Sequence, residues 1–192
     1  MLNILLIRAG STEYASQGRV QGTLDVPLSE EGRRQAELAA GQLRDQSIEA
    51  LYCGPCRASQ QTAEIIGQEL DLRPRPNEKL RNLDHGLWQG MLVDEVKAKQ
   101  PKVYRQWQEH PETVCPPEGE TLQHAQARLQ AVLSRITKKH KSGAIAVVLN
   151  DPLASLCRNI LLQDKLGDLW QSSGHPRLLW ESIAVSPTLV SR

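Results

Sequence analysis

The chain has 192 residues, enough for one domain, and 40% of them are hydrophobic, enough for a sizeable core. With 23 basic and 22 acidic residues the net charge is +1, so there is no global field for nucleic acid or an anionic membrane, and any anion preference must be local. No apolar run approaches the roughly 20 residues of a membrane helix, the four cysteines are too sparse for a disulfide framework, and the apolar start lacks a signal peptide's basic segment and cleavage site; a soluble, cytoplasmic protein with reduced thiols is expected.

Met1 to Ile7 predicts a buried first strand that ends at Arg8. A polar loop from Ser11 to Pro27 follows, containing Arg19-Val20-Gln21-Gly22 and Asp25-Val26-Pro27-Leu28. Ser29 reads as an N-cap with Glu30 and Glu31 in the first turn, and Ala36, Ala39, Ala40 and Leu43 step along one helical face. Ala50-Leu51-Tyr52 predicts a short strand, and Pro55 a turn into a helix from Arg57 to about Leu70. Arg73-Pro74-Arg75-Pro76 cannot be a central strand and is expected at or beside the sheet edge.

From Leu80 to Pro117 the pattern is irregular, broken by Gly86, Gly90, Pro101, Pro111, Pro116 and Pro117. This stretch reads as a cap inserted over one end of the sheet. Glu120 opens a long helix with Leu122, Ala125, Leu129, Val132 and Ile136 on one face. Ala144 to Leu149 is a continuous apolar run typical of a strand covered on both sides. Asn150-Asp151-Pro152 ends it and starts another helix through Leu162, and Leu178 to Val185 offers one more strand. Trp107, Trp170 and Trp180 are candidates for an exposed interface, with buried packing as the default.

Alternating strands and helices predict an α/β class: a three-layer α/β/α sandwich with a mostly parallel central sheet, one domain over residues 1–192 and a cap-like insertion at about 80–117. Ligands in such folds bind beyond the carboxyl ends of the strands. The loops after Ile7, Tyr52 and Leu149 should therefore meet in one crevice.

Six stretches in order carry a resemblance that spans nearly the whole chain. They are Arg8-Ala9-Gly10 after the first strand, Gln21-Gly22 with Pro27-Leu28 and Gly32, the run from Pro55 and Arg57 to Gln61-Thr62-Ala63-Glu64, Leu80 to Gly90 with Trp88, Pro117-x-Gly119-Glu120 before the long helix, and the end of the Val147-Val148-Leu149 strand. In this pattern the chain resembles the histidine phosphatase (phosphoglycerate mutase-like) superfamily.

The resemblance implies five chemical parts. A neutral histidine attacks phosphorus, two arginines and a second histidine hold the equatorial oxygens, and a glutamate protonates the leaving oxygen. At the corresponding addresses Arg8 and Arg57 retain the two arginines, but the nucleophile is Ala9, the acid is Asn82 and the second histidine is Asn150. Asp151 follows where the family has a small residue, and Gly10, Ser11 and His85 are further candidates for the pocket. The degenerate set predicts an inactive pseudoenzyme that binds a phosphate-type anion, as a small molecule, or a protein partner, through Arg8 and Arg57. Nothing implies a cofactor, the dispersed histidines show no metal-ligand spacing, and oligomeric state stays open.

Two other readings remain beside it. Cys53-Gly54-Pro55-Cys56 on a strand-to-helix turn is similar to the thioredoxin redox motif, because helix amides and Arg57 would lower a thiol pKa; two inert thiols are the plain alternative. The third reading is a weak phosphomonoesterase that works without histidine.

Overall fold

The computed structural model describes residues 1–163 and 179–185. Among the described residues five strands form one sheet: β1 (Leu2–Arg8), β2 (Ile48–Cys53), β3 (Pro74–Pro76), β4 (Gly143–Leu149) and β5 (Trp180–Val185), in the order β3-β2-β4-β1-β5. All neighbours run parallel except β5, which is antiparallel to β1. The helices are α1 (Glu13–Ser16), α2 (Glu30–Leu43), α3 (Arg57–Leu70), α4 (Val93–Lys99), α5 (Pro101–Glu109), α6 (Leu122–Lys139) and α7 (Leu153–Leu162). Trp170, His175 and the proposed strand start at Leu178 lie outside the described residues.

Strand alternation explains why the central runs are apolar throughout. Leu5 and Ile7 of β1, Leu51 and Cys53 of β2, and Ala146 and Val148 of β4 pack with Ala40 and Leu43 of α2 and Ala63 and Ile66 of α3. Their alternates, Ile4, Leu6, Ala50, Ile145 and Val147, pack on the other face with Leu129, Val132 and Leu133 of α6 and Leu153 and Leu156 of α7. Two helical layers thus enclose a mostly parallel sheet. The proline stretch supplies β3, a three-residue edge strand where missing amide donors are tolerated. Among the described residues no helix is long and apolar enough to cross a membrane.

One boundary differs from the sequence expectation. Glu120 does not open α6; Thr121 caps it, accepting from His124 N at 3.2 Å, while the Glu120 carboxylate is occupied by Arg128 and by Asp84 N. Trp107, for which buried packing is the default expectation, is 1% exposed, because α5 turns that face onto Trp88 and His85. Residues 80 to 117 form two short 3-10 turns, Gly86–Trp88 and Pro111–Thr113, together with α4 and α5. Gly86 sits there at φ +49°, and a Cβ on it would lie 2.0 Å from Pro117 O, so the two ends of the segment meet where only glycine fits.

Candidate active site

The carboxyl ends of β1 and β4 lie side by side, with Arg8 in register with Leu149. Beyond them is a cavity of about 160 Å³ lined by the loop after β1, by Arg19 to Gln21, by His85 and Val93, and by Asn150 to Pro152. At about 30 Å³ per water this volume equals roughly five waters, room for a small anion with a small substituent.

The loop after β1 is clamped by its neighbours. Ala9 N donates to Leu149 O at 2.8 Å, Gly10 N to Thr62 Oγ1 of α3 at 3.0 Å, and both Ser11 N and Ser11 Oγ to Gln35 Oε1 of α2 at 3.0 Å. Gly10 lies so close to Gly32 that a Cβ would approach Gly32 O to 2.2 Å. These amides are therefore committed to protein acceptors.

The predicted residues do not all converge. Ala9, Gly10, Ser11, His85, Asn150 and Asp151 line the cavity. Arg8 stands at its base, donating through Nη1 to Asp151 Oδ1 and, at 3.3 Å, to Ser155 Oγ. Arg57 is not among the lining residues. It is the first residue of α3 and is exposed, while Ala58, Ser59, Thr62 and Ala63 form the helix's buried face; its amide donates to Asp25 Oδ1 at 2.7 Å. Neither Arg8 nor Arg57 is among the residues that line the cavity. The guanidinium that joins the lining is Arg19, steadied by Gly90 O at 2.7 Å and Gln17 Oε1 at 2.9 Å.

Asn82 is buried behind the site as a clip between loops. Its Nδ2 donates to Gly22 O at 3.0 Å and Asp151 O at 2.8 Å, and its Oδ1 accepts from Leu153 N at 3.2 Å. Asn150 Oδ1 accepts from Cys56 Sγ at 2.8 Å and from Ser59 Oγ. Two donors on the oxygen leave Nδ2 as the donor of this lining residue. Gln21 repeats the arrangement: Oε1 accepts from Thr12 Oγ1 at 2.8 Å, and its buried Nε2 has no protein acceptor among the described residues. The cavity therefore presents two carboxamide donors and a guanidinium to the oxygens of a ligand. Arg19 and Gln21 escaped the sequence reading because a loop has no periodicity to say which side chains face inward; the Gln21-Gly22 pair was the one available signal.

His85 is 4% exposed, packed on Trp107 with ring centroids 5.5 Å apart. Burial lowers its pKa to about 4 against the opposing pull of Asp84, so the ring is neutral at pH 7. Cys53 ends β2 within the core, where burial first, and then the neighbouring Cys56 and Glu64, push its thiol up to about 12. A redox dithiol needs a lowered pKa. Both cysteines are free thiols, and the redox reading is corrected on these grounds. Among the described residues no three His, Cys, Asp or Glu side chains gather as metal ligands.

The profile of the histidine phosphatase superfamily (branch 1) matches residues 4–177. The chain belongs to this family. Phosphoserine phosphatase 1 of Hydrogenobacter thermophilus is 34% identical over 148 residues, covering 77% of this chain and 70% of that protein. A probable phosphoglycerate mutase of Yersinia pestis is 32% identical over 133 residues, 69% of this chain but only 62% of its own length. Among solved structures, a mycobacterial glucosyl-3-phosphoglycerate phosphatase superposes with a TM-score of 0.80 at 26% identity, covering 88% of this chain and 86% of that one. YhfR of Bacillus stearothermophilus reaches 0.85 over the full length of both chains at 22% identity, a likeness of fold.

These comparisons correct the expectation of an inactive pseudoenzyme. The relatives are named for reactions on phosphate esters, and they match at 32% and 34% identity over more than two thirds of the chain. What Ala9, Asn82 and Asn150 remove is the phosphohistidine route through position 9. The step from that loss to a protein without activity does not follow.

Proposed function

We propose that the chain is a phosphatase that hydrolyses a small phosphomonoester without a phosphohistidine at position 9. The observation that carries the reading is the donor set of the cavity: Gln21, Asn150 and Arg19 line one small space beyond β1 and β4, with Gln21 Oε1 and Asn150 Oδ1 already held by protein donors. Donors fixed by their own partners stabilise a phosphoryl group without reorganising. The family relation supports the reaction class, and the 34% identical relative makes phosphoserine the first substrate to test. Residues 80 to 117 serve as the cap that sets substrate choice, since His85 and Val93 reach the cavity from that segment. A cytoplasmic location belongs to the same reading, supported by the four free cysteines.

The test is phosphate release from phosphoserine, 3-phosphoglycerate, p-nitrophenyl phosphate and acetyl phosphate. Turnover is expected with at least one of them, and Asn150→Ala, purified identically, should lose about 10²-fold in kcat. Release that is absent throughout, or indifferent to Asn150→Ala, would overturn the proposal.

A further inference from the structure

Every side chain near the cavity that could attack phosphorus is turned to another task. Ser11 Oγ donates to Gln35 Oε1, and Ser59 Oγ and Cys56 Sγ both donate to Asn150 Oδ1. His85 is packed on Trp107, and its low affinity for a proton makes it a weak nucleophile and a weak base. Position 9 is different. Its backbone is fixed by Leu149 O, and its methyl leaves the room that an imidazole would fill open to the cavity.

Asp151 is the carboxylate among the residues that line this space. Arg8 and Ser155, the latter at 2.9 Å, bind its Oδ1 and fix its place beside the ends of β1 and β4. A carboxylate has about four acceptor sites, enough to hold a water while keeping these donors. The other charged or titratable groups around the site are Arg19 in the lining, neutral His85, and Arg57 with Asp25 outside it.

We propose that the nucleophile is a water molecule seated in the room beside Ala9, and that Asp151 is the catalytic base that takes its proton. This rests on the phosphatase reading above. In the step, a lone pair of the water oxygen forms the new P–O bond as one water proton passes to Asp151. The ester P–O bond breaks with its electron pair on the leaving oxygen, which gains a proton from solvent, and Asp151 later returns its proton to solvent. Ester and water become alcohol and inorganic phosphate. Gln21, Asn150 and Arg19 hold the equatorial oxygens during the displacement.

The same geometry narrows the substrate class. Asn82 is bound on both sides of its amide and offers the leaving oxygen no acidic proton. The site therefore favours phosphates whose leaving oxygen departs as an anion: aryl, enol and acyl phosphates over alkyl ones.

The experiment has three readouts on the full chain. Phenyl phosphorothioate made chiral with two oxygen isotopes, hydrolysed in water carrying the third, should give inorganic thiophosphate of inverted configuration at phosphorus, as one in-line displacement requires. Asp151→Asn, which keeps an acceptor for Arg8 and Ser155, should lower kcat by about 10²–10⁴-fold while inorganic phosphate inhibits native and variant alike. p-Nitrophenyl and acetyl phosphate should turn over faster than phosphoserine. Retention of configuration, full activity of Asp151→Asn, or equal rates on alkyl and aryl esters would each overturn the water mechanism while leaving a phosphatase. No turnover of any ester by the native chain would overturn both.

Discussion

Asn82→Asp tests whether residue 82 is now a structural clip. The substitution preserves shape and the acceptor for Leu153 N, but it replaces the amide that donates to Gly22 O and Asp151 O with a carboxylate oxygen. Each buried group left without its hydrogen bond costs about 1–3 kcal/mol, so the two carbonyls together cost about 2–6 kcal/mol. At about 2–4 °C per kcal/mol for a chain of this size, the middle value lowers Tm by about 8–16 °C at neutral pH. The introduced carboxyl, facing carbonyl oxygens at a site 3% exposed, holds its proton more tightly in the folded state than in the unfolded one. A folded pKa raised in this way means stability that is present in acid and lost as pH rises, so the deficit relative to the native chain should shrink on acidification. Thermal melts followed by circular dichroism, on either side of the carboxyl range, measure both effects. An unchanged Tm at neutral pH, or a deficit that widens in acid, refutes the reasoning.

Two further outcomes are expected. His85, lowered from 6.5 to about 4, contributes stability that is fully present above 6.5 and is lost as pH falls toward 4; at 1.36 kcal/mol per unit the loss is up to about 3 kcal/mol, and His85→Gln should remove that slope from denaturant titrations across the range. Thiol labelling of the native chain should reach exposed Cys115, whereas the buried Cys53 and Cys157, both pushed up to about 12, should react only after unfolding. Ready labelling of Cys53 in the native state would contradict its placement.

Long periodic elements were legible in the sequence because their side chains must face one way. The steps through Ala36, Ala40 and Leu43, through Leu122, Leu129 and Ile136, and the unbroken run of β4 all predict elements that form. The proline pair at 74 and 76 told its edge position through donors it lacks. The site was harder. A motif locates Arg57 to within a residue, but on a helix one residue is about 100°, and that difference puts Arg57 in solvent and Ala58 in the core. Asn82 and Asn150 were recognised as departures from a pattern, yet their bonds to Gly22, Asp151, Cys56 and Ser59 join residues distant in sequence, which no local signal reports.

Arg128 is the most connected side chain behind this site. From α6 it grips Glu120, at 2.5 and 3.1 Å, and donates to the carbonyls of Lys79 at 2.9 Å, Arg81 at 2.6 Å and Asn82 at 3.0 Å. Because it binds main chain, part of what holds residues 79 to 82 in place does not depend on the side chain at 82. An exchange of the residue at 82 can then alter chemistry without displacing the loop. One arginine on a distant helix makes this a position at which a lineage can trade an acid for an amide and keep the same frame.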